Sequence, residues 1–145
     1  MYTSNIDEII ARLSNVPADI EKRVSRIVMK VVHEIDMRIH PKTPVWSGAA
    51  VRNMIWTRGK PNQTEFDPVG SDGTGEQNRA ANTAAARQSL HALTFDKPFA
   101  VYYLTNNAKH IRGLEAGLLP YPGKHPVDGM FGMTYAEVVA KLGSL

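Results

Sequence analysis

From residue 17 to about residue 40, apolar side chains recur at Ile20, Val24, Ile27, Val28, Val31, Ile35 and Ile39. The steps between them, 4, 3, 1, 3, 4 and 4, follow the 3.6-residue period of an α-helix and exclude strand alternation. A helix of that length commits the fold to one long rod with an apolar stripe. Most of these residues are β-branched, which lowers intrinsic helix propensity. The rod therefore needs its stripe buried, against a sheet or against a neighbouring subunit. Lys22, Arg23, Arg26 and Lys30 lie opposite, within about a third of the helical circumference. Such a run is first of all a solvated face.

Other elements follow from local signals. Ile6, Ile9, Ile10 and Leu13 predict a short amphipathic helix over residues 5–14, an extension covering residues 1–16, with Asn15 and Pro17 marking a restart. Pro41 and Pro44 end the long helix, and Ser47 and Gly48 open a short one reaching about residue 53. Residues 54–57 read as a strand, and residues 58–75, rich in Pro, Gly and Asn, as a loop that is loose in the free chain. Residues 76–93 form an Ala-rich helix, with Ala80, Ala84, Arg87 and His91 at helical spacing, whose small side chains permit close approach to a sheet or another chain.

A strand over residues 99–104 is stopped by Asn106 and Asn107, which tolerate turn geometry and close turns with their own side chains. His110, Ile111, Leu114 and Glu115 give one helical turn, and Gly117 stands where a helix ends in the left-handed conformation. Pro120, Pro122, Gly123, Pro126 and Gly129 then forbid regular structure and define an extended arm over 118–133, with Tyr121 and Phe131 as anchors between subunits. A last short helix covers residues 135–142. These elements predict an α+β fold in a single domain spanning 1–145: the long N-terminal amphipathic helix and the Ala-rich helix packed on a small antiparallel sheet, with an extended loop and a C-terminal arm.

Composition narrows the function classes. At 145 residues with 43% hydrophobic content, the chain can bury one core. Without cysteine it has neither disulfides nor thiolate metal sites. No apolar run is long enough to span a bilayer, and the first residues lack the pattern of a secretory signal, so no membrane partner is expected. The net charge of +3 is spread evenly: residues 1–42 carry 7 basic and 6 acidic side chains, 43–95 carry 5 and 4, and 96–145 carry 5 and 4. Duplex binders concentrate Lys and Arg in one block or on one face, so strong autonomous DNA binding is not expected.

Chemistry finds little support. His33 and Glu34 lack the second histidine of a zinc-protease helix, and His40, His91, His110 and His125 form no metal-ligand pattern. The GSDGTG stretch lacks the Gly-Lys-Ser/Thr ending of a phosphate-binding loop, and Ser47 lacks the flanks of a nucleophile elbow. Glu115 stands without a titratable companion, which favours a structural carboxylate that accepts backbone amides or pairs with an arginine such as Arg112. No catalytic residue, cofactor or metal is expected.

The order of motifs carries a resemblance. Thr43, Pro44, Val45, Ser47 and Gly48 come first, then Thr105 and Asn107 at the end of a strand. Leu114, Glu115 and Gly117 follow, and then Pro126, Gly129 and Met130. That order resembles the neck or tail-completion proteins of long-tailed bacteriophages, and is distantly similar to the minor tail protein Z family of phage lambda. The chain departs from the family at His110, where an aromatic is usual, and across residues 118–124, where the family is polar. The resemblance implies a structural virion protein, made in the host cytoplasm, that forms a hexameric or dodecameric ring in the neck or at the top of the tail. It implies head-closure or connector, tail-terminator and tail-tube proteins as partners. Pro44, Gly48, Asn107, Leu114, Glu115, Gly117, Tyr121, Pro126 and Phe131 then become interface or structural positions. In a ring, the stripe of Lys22, Arg23, Arg26 and Lys30 faces the lumen or a partner, where it makes non-specific contact with DNA in the channel and its charge is multiplied by the copy number. The basic pI alone points to the alternative, a nucleic-acid-associated protein or small nuclease-like enzyme.

Overall fold

The long helix forms, and it swallows the predicted break. In a computed structural model that describes residues 5–70, 73–118 and 129–145, α1 runs uninterrupted over Asn5–Lys42 with Pro17 and Pro41 inside it. Residues 8–23 are all exposed. The carbonyl that the Pro17 ring displaces can therefore tilt outward to water, which is how a proline is accommodated inside a helix.

After α1 come α2 (Ala49–Arg52), β1 (Ile55–Arg58), a 3₁₀ turn (Glu76–Asn78), α3 (Arg79–His91) and β2 (Tyr102–Thr105). α4 (Ile111–Glu115), α5 (Met130–Lys141) and a closing 3₁₀ turn (Leu142–Ser144) complete the order. β1 and β2 pair antiparallel, with Ile55 opposite Thr105 and Arg58 opposite Tyr102. The fold is α+β, as expected, with helices greatly outweighing a two-stranded sheet. Two strands cannot hold themselves together in water and need a helix packed on them. α1 and α3 supply it: Val32, Trp56 and Leu90 form one buried cluster, edged by Phe95 stacked on Tyr102 with ring centroids 5.1 Å apart.

A second cluster joins Ile39, Ala50, Met54, Ala86, Leu114 and Met130, so α1, α2, α3, α4 and α5 share one core. On α3 the buried residues are Asn82, Ala86 and Leu90, while Ala80, Ala84 and His91 face outward. The Ala-rich face read as the packing surface is thus offset by about half a turn. The C-terminal helix begins at Met130, five residues before the predicted start, so Met130, Phe131 and Met133 belong to α5 and not to an arm. Residues 119–128, with Tyr121 and Pro126, lie outside the described residues. Among the described residues, no helix is long and apolar enough to cross a membrane.

Candidate functional site

The residues that carry the resemblance fall at two joints. At the first, Thr43 closes α1: its amide and its Oγ1 both donate to the Ile39 carbonyl, at 3.1 and 2.8 Å. Pro44 then prevents continuation, and Val45 is fully buried. Arg79 seals the same end. Its Nη1 donates to the carbonyls of His40 (2.5 Å) and Thr43 (3.0 Å), and Glu76 holds the guanidinium through Nε and Nη2. Gly48 turns the chain into α2 at φ +90°, and a Cβ there would collide with the Asn82 side-chain amide. Pro44 and Gly48 are both buried, so their roles lie inside the subunit.

Asparagine amides organise the neighbouring loop. Asn53 exchanges two hydrogen bonds with the backbone of Phe66, donating from Nδ2 at 2.8 Å and accepting at Oδ1 at 2.8 Å. Asn82 does the same with Val69, at 3.0 and 2.9 Å. A carboxamide offers one donor and one acceptor side by side, so each asparagine pairs with a loop residue as a strand would. Asn107 donates to the carbonyls of Asn62 and Thr64, and Asn78 to those of Trp46 and Gly73. Arg52 also stacks over Phe66, 4.6 Å from the ring centroid. The expectation of a loose loop over 58–75 is therefore corrected for its described part. Asn107 serves this loop.

The second joint links α4 to α5. Asn106 caps the turn after β2: its Oδ1 accepts the Ala108 amide and its Nδ2 donates to the Ala50 carbonyl. Gly117 ends α4 at φ +66°, with the Leu118 amide on the Gly113 carbonyl and the Gly117 amide on the Leu114 carbonyl. That double closure is the Schellman motif, which the sequence anticipated at this glycine. The Glu115 carboxylate then accepts the amides of Phe131 and Gly132, both at 3.0 Å, one on each oxygen. These are among the unpaired donors at the start of α5, where a negative charge also meets the positive end of the helix dipole. Glu115 takes backbone amides, as one of its two structural readings expected; Arg112 is exposed. Leu114 is buried in the core, and Phe131 packs half-buried against it rather than standing free as an anchor.

One buried ionic cluster escaped the sequence reading. Asp36, 2% exposed, accepts hydrogen bonds from His40 Nε2 (3.2 Å), Trp56 Nε1 (3.1 Å) and Arg87 Nε (2.7 Å). Burial works to raise its pKa, but the bonds from His40, Arg87 and Trp56 outweigh it and hold the carboxyl below the usual aspartate range. Asp36 and His40 sit four apart on the inward side of α1, a spacing that was visible in the sequence. Their partners on β1 and α3 were not. On the outer side of the same helix, Glu34 pairs with Arg38 and Lys141, and Glu137 with Arg38 and Lys42, fastening α5 to α1.

Lys22, Arg23, Arg26 and Lys30 are exposed, in the positions expected of them. Lys22 and Arg26 border a shallow cleft shared with Glu21 and Asp96, and Lys30 donates to the Leu145 carbonyl. Of the two covers expected for the apolar side, the sheet does not reach its first part. Ile6, Ile9, Ile10, Leu13, Val16 and Ile20 are 43–63% exposed, so the first half of the stripe is buried against nothing in the subunit. Among the described residues, no group of three His, Asp or Glu side chains is placed to hold a metal. No protein-family model, curated protein or solved structure matches the chain.

Proposed function

We propose that this chain is a structural, non-enzymatic virion protein of a long-tailed bacteriophage, forming a hexameric or dodecameric ring in the neck or at the top of the tail. There it completes the tail and joins it to the head through head-closure, terminator and tube proteins. The observation that carries an assembly role is the apolar stripe of α1 from Ile6 to Ile20, left open to solvent in the single subunit. Apolar surface gathered in one patch is a mark of association. The neck placement rests on the resemblance in motif order. It gains support from the positions of Thr43, Pro44, Gly48, Leu114, Glu115, Gly117 and Gly129, which lie at two structural joints and not at a reaction centre.

The nucleic-acid alternative draws less support. Arg38, Lys42, Arg58, Arg79, Arg87 and Lys141 are each paired with a carboxylate of the same chain, which lessens the positive charge left to meet phosphate. Electron microscopy of virions made without this protein tests the proposal: separated heads and tails, or particles that fall apart, are expected. Normal infectious virions sink it. Tight duplex binding that weakens steeply with salt would favour the alternative.

A further inference from the structure

The exposed half of α1 is patterned for a helix, and its charges choose the direction. Ile6, Ile9, Leu13, Val16 and Ile20 are spaced 3, 4, 3 and 4 residues apart, the heptad seam of two helices packed side by side. All five are exposed, at 60, 51, 63, 43 and 53%. The subunit leaves this seam open, while away from it Ala18, Glu21 and Ser25 border a shallow cleft shared with Phe95, Asp96 and Pro98. A seam so spaced fits another α-helix, and the helix on the page that matches it in length and period is α1 of a second copy.

We infer that two copies of this chain associate through residues 9–20 of α1, packed antiparallel about a two-fold axis, with Ile6 lying beyond the last apolar layer. In that register Ile20 faces Ile9 of the second copy and Leu13 faces its Val16, each layer occurring twice. The flanking positions before the first seam residue of each heptad hold Arg12 and Asp19. Antiparallel packing sets Arg12, which reaches Glu8 of its own helix at 2.6 Å in the single subunit, beside Asp19 of the second copy, again twice. Parallel packing would set Arg12 beside Pro17 and Asp19 beside Val24, with no charge paired. It would also bring the two runs of Lys22, Arg23, Arg26 and Lys30 to the same end, where like charges repel. The antiparallel pair separates those runs and puts the folded bodies at opposite ends of the shared segment. A two-fold contact is self-complementary and closes on itself. The inference concerns the free protein and uses the same stripe as the assembly reading; a closed two-fold pair is not itself a hexameric or dodecameric ring.

Sedimentation velocity over a concentration series measures it directly, and a dimer that dissociates on dilution is expected. Leu13→Glu should raise the dissociation constant roughly a hundredfold or more, because two buried leucines are lost per dimer. Leu13 is 63% exposed in the subunit, so circular dichroism of that variant should match the parent. Arg12→Asp and Asp19→Arg should each weaken the dimer, and the double exchange should restore it. The chain has no cysteine, so introduced thiols report cleanly. A mixture of Ile9→Cys and Ile20→Cys should form a mixed disulfide, whereas either alone should not, its two thiols lying about 16 Å apart along the axis. A monomer at every concentration overturns the inference. So does a larger species that Leu13→Glu leaves intact, or self-crosslinking by Ile9→Cys alone. Virions lacking the protein yet fully infectious would refute the neck reading and leave this result unchanged.

Discussion

Gly129 stands against Glu115 so closely that a Cβ would lie 2.5 Å from the Glu115 carboxyl carbon and 2.5 Å from its backbone oxygen. Gly129 also has φ +76°, a left-handed angle that side chains resist. Both constraints arise from one arrangement: the carboxylate can reach the first amides of α5 only if the residue before the helix has no side chain. Gly129→Ala should therefore cost about 2–3 kcal/mol, combining backbone strain with displacement of the cap. Glu115→Ala, which removes the cap alone, should cost about 1 kcal/mol. Urea unfolding of the two variants measures both, and equal losses would show that the close approach is not what demands glycine.

Asp36 joins three elements through one carboxylate, so its loss should be felt throughout the body. Asp36→Asn keeps the shape but leaves Arg87 and His40 facing a neutral amide. A destabilisation of about 3 kcal/mol at neutral pH is expected for breaking a buried pair from one side. The pH dependence has a definite sign. The folded-state pKa of Asp36 is held below its unfolded value, so its contribution is complete above the ordinary aspartate range. It is lost as pH falls through that range and below it. Unfolding free energies measured from neutral to acid pH should fall more steeply for the parent than for Asp36→Asn. Parallel acid limbs would remove Asp36 from the titration.

The paired asparagines make the loop between β1 and α3 part of the body. Asn82→Ala would strip Val69 of both hydrogen bonds and empty the space beside Gly48. A loss of about 2 kcal/mol is expected from the unpaired polar groups and the small cavity. Asn53→Ala should act likewise at Phe66. Limited proteolysis supplies a local readout: both variants should be cut sooner between residues 59 and 70, under conditions where the parent is spared. Unchanged cleavage would mean that the loop is held by something other than these amides.

How much of this was legible depended on whether the signal was local. The period of the α1 stripe, the Gly117 turn and the Asn106 cap are set by neighbours within a few residues, and each was read correctly. Asn53, Asn82 and Asp36 act on partners 13 to 51 residues away, and a polar residue in a helix looks the same whether it faces water or a loop. The start of α5 was missed for a related reason. Gly132 weakens a helical reading, and the cap that compensates sits at Glu115, on another element. The basic face of α1 was placed correctly, while the cover of its apolar face was left between a sheet and a neighbouring subunit. Periodicity reports that a stripe exists and is silent on what covers it.

Pro17 is where local rule and observed structure part most clearly, and it yields a separable test. Proline inside a helix removes one backbone hydrogen bond and crowds the carbonyl four residues earlier, a cost of roughly 3 kcal/mol relative to alanine. α1 nevertheless continues through it, on a segment whose residues 8–23 are all exposed. Pro17→Ala should therefore strengthen the helix over residues 5–20 without altering the core. Amide exchange in that segment should slow about tenfold or more. Measured on the Leu13→Glu background, which removes self-association, the thermal midpoint of the body should stay where it was. A midpoint that rises together with the exchange protection would show that the first half of α1 unfolds cooperatively with the rest of the chain.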